Sequence, residues 1–167
     1  SALQALETLK FKVDSSILPL EPGQDSLCKD ARHAPQRPYF PDRQRPRTRG
    51  GSSVLEVPIS MGWPNRARQF WSSLVGGERV TPTTLDPSRA SLRALRGLTE
   101  HHARKALPAL VLHIPGNTLL PGCSALCSTS EEVDELFERI DQYLRFAIDE
   151  ARLRPQGLLE FSQGLVS

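Results

Sequence analysis

His113 is the residue whose position in the sequence points most directly to chemistry. It closes the apolar run Ala109-Leu110-Val111-Leu112-His113, and α/β sheets and barrels carry their functional groups at the carboxyl ends of such strands. An imidazole there can exchange protons near neutral pH. The alternative is a half-buried histidine bonded to a backbone carbonyl. His101 and His102 are neighbours late in a helical pattern, point in different directions and read as structural residues favoured by the helix dipole. Cys123 and Cys127 with His113 offer three soft ligands, but the spacing fits no common zinc pattern and lacks a fourth donor. Asp14-Ser15-Ser16 sets a serine beside an acid without the strained elbow that exposes a nucleophile, so a local turn is expected. The arginine-rich segment around Tyr39 and Phe40 combines cations with rings, as single-strand binders do. No nucleic-acid reader motif accompanies it, and a solvated loop is expected there rather than a nucleic-acid partner.

The elements that must position these residues follow from pattern. Ala2 to Lys10 reads as the end of a helix, with Leu3, Leu6 and Leu9 at near-helical spacing, and Phe11-Lys12-Val13 as a short strand. Residues 18–53 form a long loop, because Pro19, Pro22, Pro35, Pro38, Pro41 and Pro46 withhold backbone donors. Val54-Leu55-Glu56-Val57-Pro58-Ile59-Ser60 is a strand whose Pro58 places it at an edge or a strand end. Asn65 to Leu74 suits a short helix with Phe70 and Trp71 inward, while Trp63 beside Pro64 is placed to line a pocket. Asp86-Pro87 is a helix start, an acidic N-cap with Pro in the first turn, for a helix running to about Arg104. Ala109 to His113 is expected to be a strand buried on both faces. Ile114 to Cys127 is a loop. The last long helix opens on a capping box, Ser128 with Glu131 or Thr129 with Glu132. Its stripe runs through Val133, Leu136, Phe137, Ile140, Tyr143, Leu144, Ala147, Ile148 and Ala151 until Pro155 stops it. Gly157 to Gly164 holds one more short helical turn. The order is a parallel α/β arrangement with three clear strands.

Composition bounds the rest. The 167 residues, 38% hydrophobic and 24% charged, suit one globular domain rather than a collagen or a disulfide scaffold. No apolar run is long enough to span a membrane, so no membrane partner is expected. Three cysteines, an odd number, argue for a reducing compartment and hence the cytoplasm. The formal net charge of +2 hides two opposed blocks: seven basic against two acidic residues between Cys28 and Gly50, and eight acidic against three Arg between Ser130 and Arg152.

Three stretches, taken in order, carry a resemblance. Leu9-Lys10-Phe11-Lys12-Val13-Asp14-Ser15-Ser16-Ile17-Leu18-Pro19, then Val54-Leu55-Glu56-Val57-Pro58, then Leu110-Val111-Leu112-His113-Ile114-Pro115 with Leu120-Pro121-Gly122 and the later Tyr143-Leu144-Arg145-Phe146, resemble segments of the bacterial polysaccharide deacetylases with NodB homology, most closely their WalW-like branch. The resemblance implies a metal-dependent hydrolase that removes acetyl groups from an N-acetylated glycan or amino sugar. It implies a distorted (β/α)7 barrel as the fold, a divalent metal, zinc in most of the family, to activate water, and a late-strand histidine as general acid. By position His113 matches that acid, Leu112 matches the neighbouring pocket residue that holds the acetyl methyl, and Trp63 matches the pocket wall.

The family's thr-phe-asp-asp-gly and his-x-x-x-his motifs are absent, so the metal ligands and the general base are expected upstream of Ser1. Residues 1–167 are then the C-terminal portion of the barrel, about three strands with flanking helices and one long loop. Its partner would be the N-terminal half of the same domain, and this segment alone would bind no zinc. The alternative is a non-catalytic protein that holds an anionic polymer or a glycan through the Arg/Pro loop.

Overall fold

The computed structural model describes residues 2–20, 33–63 and 82–166. Cys28 and the helix expected over Asn65 to Leu74, with Phe70 and Trp71, lie outside the described residues. In chain order the elements are α1 (Ala2–Thr8), β1 (Val13–Asp14), β2 (Leu55–Glu56), β3 (Met61–Gly62), β4 (Thr83–Thr84), α2 (Leu92–Arg104), a 3-10 turn (Gly116–Leu119), α3 (Ser130–Arg145), a π-helical turn (Phe146–Glu150) and α4 (Leu158–Val166). The chain divides into two compact units, 1–60 with 107–111 and 155–167, and 61–106 with 112–154.

In the first unit β1 and β2 pair in parallel, Val13 with Leu55 and Asp14 with Glu56. The pairing continues beyond the strands through Ile59 N–H to the Ile17 carbonyl at 3.0 Å. The other edge of β2 is met by Tyr39, which exchanges both backbone bonds with Glu56, at 3.0 and 2.8 Å. Pro58 has no N–H to give on that side, so the Tyr39 pairing stops while the β1 side goes on. Every residue from Val54 to Ser60 is buried, and Val54, Val57 and Tyr39 are at most 1% exposed.

The expected structureless loop is ordered over much of its length. From Tyr39 to Ser52 it forms a tight excursion: Pro41 bridges Arg49, Asp42 N–H donates to the Thr48 carbonyl at 2.9 Å, and Gly50 N–H donates to the Phe40 carbonyl at 2.7 Å. Proline removes donors but leaves carbonyls, and this turn uses the carbonyls of Pro41 and Pro46 as acceptors. Glu7 of α1 clamps it. Arg43 donates Nε and Nη2 to the two Glu7 oxygens at 2.9 and 3.0 Å, and Ser53 N–H adds a third bond at 2.8 Å. These bonds, Arg43 first, hold the Glu7 carboxyl at about 2.

Gly50 is needed for close approach: a Cβ there would lie 2.7 Å from the backbone nitrogen of Asp42 and nearer still to its Cα. Gly50→Ala is therefore expected to cost roughly 1–3 kcal/mol, the scale of overpacking against backbone that cannot yield. Urea denaturation measures this, and an unchanged midpoint would show that the turn opens freely.

In the second unit β3 and β4 pair antiparallel, Met61 with Thr84 and Gly62 with Thr83. The helix expected from Asp86 starts later. Asp86 and Pro87 open an isolated turn, and α2 begins after Ser91, whose Oγ accepts from Ala94 N–H at 3.4 Å. Of the two capping boxes the sequence offered, the chain adopts Thr129 with Glu132. The apolar stripe of the last helix divides. Val133, Leu136, Tyr143, Phe146 and Ala147 are buried, whereas Phe137, Leu144 and Ile148 are 40–50% exposed. After Arg145 the helix widens into the π turn, where Arg96 stacks on the Phe146 ring at 4.7 Å. The Tyr143 and Thr99 hydroxyls meet at 2.8 Å and tie α3 to α2.

The run Ala109 to His113 departs from its expected form. It is half-buried rather than sealed on both faces, and it belongs to no ladder. Val111 N–H donates to the Ser60 side-chain oxygen at 2.9 Å instead of to a strand carbonyl. A hydroxyl in that place breaks the repeat that a sheet requires. The described strands pair two by two and close no barrel.

Candidate active site at His113 and Asp86

His113 is held twice in its own unit. Its N–H donates to the Leu85 carbonyl at 2.9 Å, and its Nδ1 lies 3.5 Å from Oδ2 of Asp86. The Asp86 side chain is 1% exposed, while that of His113 is 39% exposed. Asp86 is fixed because its other oxygen is already used. Oδ1 accepts from Ser88 N–H at 2.8 Å and from Ser88 Oγ at 2.6 Å. Its main-chain carbonyl accepts from Arg89 and Ala90, at 3.1 and 2.9 Å. An aspartate followed by proline and serine favours this side-chain-closed turn.

The turn is anchored from two directions. Before it, β4 is paired to β3. After it, Arg139 of α3 donates Nη1 to the Pro87 carbonyl at 2.7 Å. Oδ2 is thus left for His113, with Arg89 Nε further off at 3.8 Å. A carboxylate on Nδ1 directs the ring so that Nε2 is the nitrogen free to meet a substrate, the orientation that acid–base histidines require. Ser88 bonds to the aspartate and not to the imidazole, so the three side chains do not form a nucleophilic triad.

The other candidates fall elsewhere. Leu112, next to His113, and Trp63 after β3 are both half-buried. His102 is 3% exposed, its Nε2 lies 3.1 Å from the Met61 carbonyl, and burial lowers its pKa. His101 meets it edge to face. Cys127 is buried beside Val133 and Leu136, and Cys123 is exposed. Asp14 closes a local turn, accepting from Ser15 N–H at 2.9 Å and from Ser16 Oγ at 2.8 Å, while Ser15 Oγ donates to the Val57 carbonyl. Among the described residues no group of three or more His, Cys, Asp or Glu side chains converges to hold a metal ion. The donors that the resemblance implies for zinc are not met by these residues.

Two buried carboxylates were not singled out by the sequence. Asp86 looked like a helix cap, and its approach to His113 links two turns far apart in the chain. Glu56 looked like an ordinary strand residue, yet it is 2% exposed and accepts from Ile17 N–H at 2.9 Å. Burial pushes its carboxyl up to about 7; the Ile17 bond opposes this and the neighbouring Asp14 adds to it. A charged residue inside Leu-Glu-Val-Pro was the available signal. The chain matches no family model, no curated protein and no solved structure. Among the described residues no helix is long and apolar enough to cross a membrane.

Proposed function

We propose that His113 is the general acid of an N-deacetylase acting on an acetylated glycan or amino sugar, with Asp86 as the residue that positions it. The observation that supports this reading best is the pairing of a buried, doubly anchored carboxylate with one nitrogen of a half-exposed imidazole. In amide hydrolysis water adds to the acetyl carbon, the C–N bond breaks, and the amine nitrogen must gain a proton before it can leave. The Nε2 of a protonated His113 supplies that proton, and Asp86 stabilises the imidazolium before transfer. Leu112 and Trp63 are assigned to the apolar wall that receives the acetyl methyl. The activation of water belongs to the metal and base that the family resemblance implies and is assigned to no residue of this chain.

The test is acetate release from an N-acetylated amino-sugar oligomer by the complete protein in the presence of zinc. His113→Ala is expected to lower turnover by roughly 10²–10⁴, the usual contribution of a general acid. Equal turnover in the variant would remove His113 from the reaction, and no acetate release at all would sink the deacetylase reading.

A further inference from the structure

His102 is a buried titratable group that the proposed reaction does not employ, and it braces the structure that holds His113. It lies in the last turn of α2 and is 3% exposed. Its Nε2 sits 3.1 Å from the Met61 carbonyl of β3, while its Nδ1 is buried with no hydrogen-bond partner among the described residues. A neutral ring with its proton on Nε2 fits this place: Nε2–H donates to Met61 and Nδ1 keeps a lone pair. A protonated ring carries a second N–H at Nδ1, where nothing accepts it.

The surroundings give such a charge no relief. Burial is the largest influence against it, His101 and Lys105 on the same helix add to it, and the Met61 bond alone opposes them. β3 and β4 bring Met61, Gly62, Thr83 and Thr84, none of them charged. α3 and the π turn reach α2 through Tyr143 on Thr99, and through Phe146 and Glu150 on Arg96. The carboxylate among these contacts therefore pairs with an arginine. Nor is there slack between helix and strand: a Cβ on Gly62 would stand 2.5 Å from Leu98 Cδ1 and 3.7 Å from His101 Cδ2.

From Met61 the contacts lead to His113. Met61 pairs with Thr84 across the β3–β4 ladder. The Thr84 carbonyl accepts from Asp86 N–H at 2.8 Å, and the Leu85 carbonyl accepts from His113 N–H at 2.9 Å. We infer that His102 is an acid-operated latch: protonation of its ring parts β3 from the last turn of α2 and loosens the Leu85–Asp86 segment that holds His113. A buried cation with a stranded N–H is relieved only by water, and water reaches it by opening the α2–β3 contact. The latch concerns how His113 is held and stands apart from the deacetylase reading.

The sign follows from burial. The folded chain takes up this proton less readily than the unfolded chain, whose imidazole titrates near 6.5. The closed form is therefore fully favoured above that pH and loses about tenfold in population ratio for each pH unit below it. Native-state amide hydrogen exchange of the full chain, expressed as protection factors, tests this at pH 7.5 and pH 5.5. Asp86 and His113 amides are expected to lose protection roughly tenfold at the lower pH, while Leu136 and Tyr143 of α3 keep theirs. His102→Gln keeps an N–H for the Met61 carbonyl and cannot take up a proton, so its protection should be equal at both pH values. His101→Gln should retain the parent's loss. Effects that belong to the titration of His113 or Asp86 remain in His102→Gln, so an equal loss in that variant overturns the inference. Unchanged protection in the parent overturns it too, as does a loss shared equally by α3. The ring-nitrogen NMR signals of the parent supply a test that needs no variant. They should show the Nε2–H tautomer of His102 at pH 7.5, with its protonation coinciding with the loss of protection. A ring already charged at pH 7.5, or one that titrates while both amides stay protected, overturns the latch.

Discussion

Replacing Glu56 with Gln is expected to stabilise the protein at pH 8 by roughly 3 kcal/mol and to change its stability little below pH 4.5. The Glu56 carboxyl is 2% exposed on β2, and burial, with Asp14 beside it, moves its titration from the ordinary 4.5 to about 7. The folded chain therefore holds this proton to a higher pH than the unfolded chain does. Its stabilising contribution is complete below 4.5, declines between 4.5 and 7, and is lost above 7, where a bare carboxylate must sit without water. Glutamine keeps an oxygen for the Ile17 N–H, presents an N–H to the Asp14 carboxylate, and never ionises. Urea denaturation from pH 4 to pH 8 should show the parent losing stability relative to Glu56→Gln as pH rises. Curves that stay parallel across that range would refute the assignment.

If His113 is the general acid proposed above, Asp86→Asn is expected to lower turnover on the order of 10²-fold or more while leaving KM nearly unchanged. Asparagine retains an oxygen for Ser88, so the turn from Asp86 to Ala90 should persist. What it removes is the negative charge facing Nδ1 of His113, 3.5 Å away. Without that charge the imidazolium is less stabilised, and the side-chain amide presents an N–H to Nδ1, which disfavours the protonated ring. A residue acting only on the fold would instead lower the thermal midpoint and leave turnover per folded molecule intact. Asp86→Ala supplies that comparison: it strands the Ser88 N–H and hydroxyl in a site 1% exposed at Asp86. A cost of about 2–3 kcal/mol in urea denaturation is expected. If Asp86→Asn turns over at the parent's rate, Asp86 does not position the acid.

The local elements were largely legible in the sequence. The Thr129–Glu132 capping box, the α1 helix feeding a strand, and the strand at Leu55-Glu56 each depend on neighbours within a few residues. Side-chain period and cap chemistry report such neighbours directly. The apolar stripe of α3 was legible only in part. Periodicity marks Phe137, Leu144 and Ile148 as apolar on the helix, but which apolar positions are covered depends on what packs against them. Asp86 illustrates the opposite failure. It was read as the N-cap of the helix that follows, whereas that helix starts at Leu92 with Ser91 as its cap. Ser91 offered a second start, and the bonds from Ser88 and the approach of His113 keep Asp86 in an isolated turn.

The proline-rich stretch shows how composition misleads. Prolines removed donors, and a loop without structure was the natural expectation. Yet the carbonyls they retain, an aspartate at Asp42 and a glycine at Gly50 suffice to close a turn once Tyr39 pairs with Glu56. The Tyr39–Glu56 bonds join positions that no window of ten residues spans.

By itself the sequence determined that a histidine ends an apolar run, that a basic and an acidic block cancel in net charge, and that a capping box opens the last long helix. These are properties of residue type and short spacing. Only the tertiary structure decided that His113 faces a buried carboxylate, that Glu56 is sealed from water, and that Nδ1 of His102 is buried with no partner among the described residues. Each of these depends on which distant groups arrive at one point and on how much solvent they exclude. Charge, hydrogen bonding and dielectric act over a few ångströms in space, and the separation of residues along the chain does not record that distance.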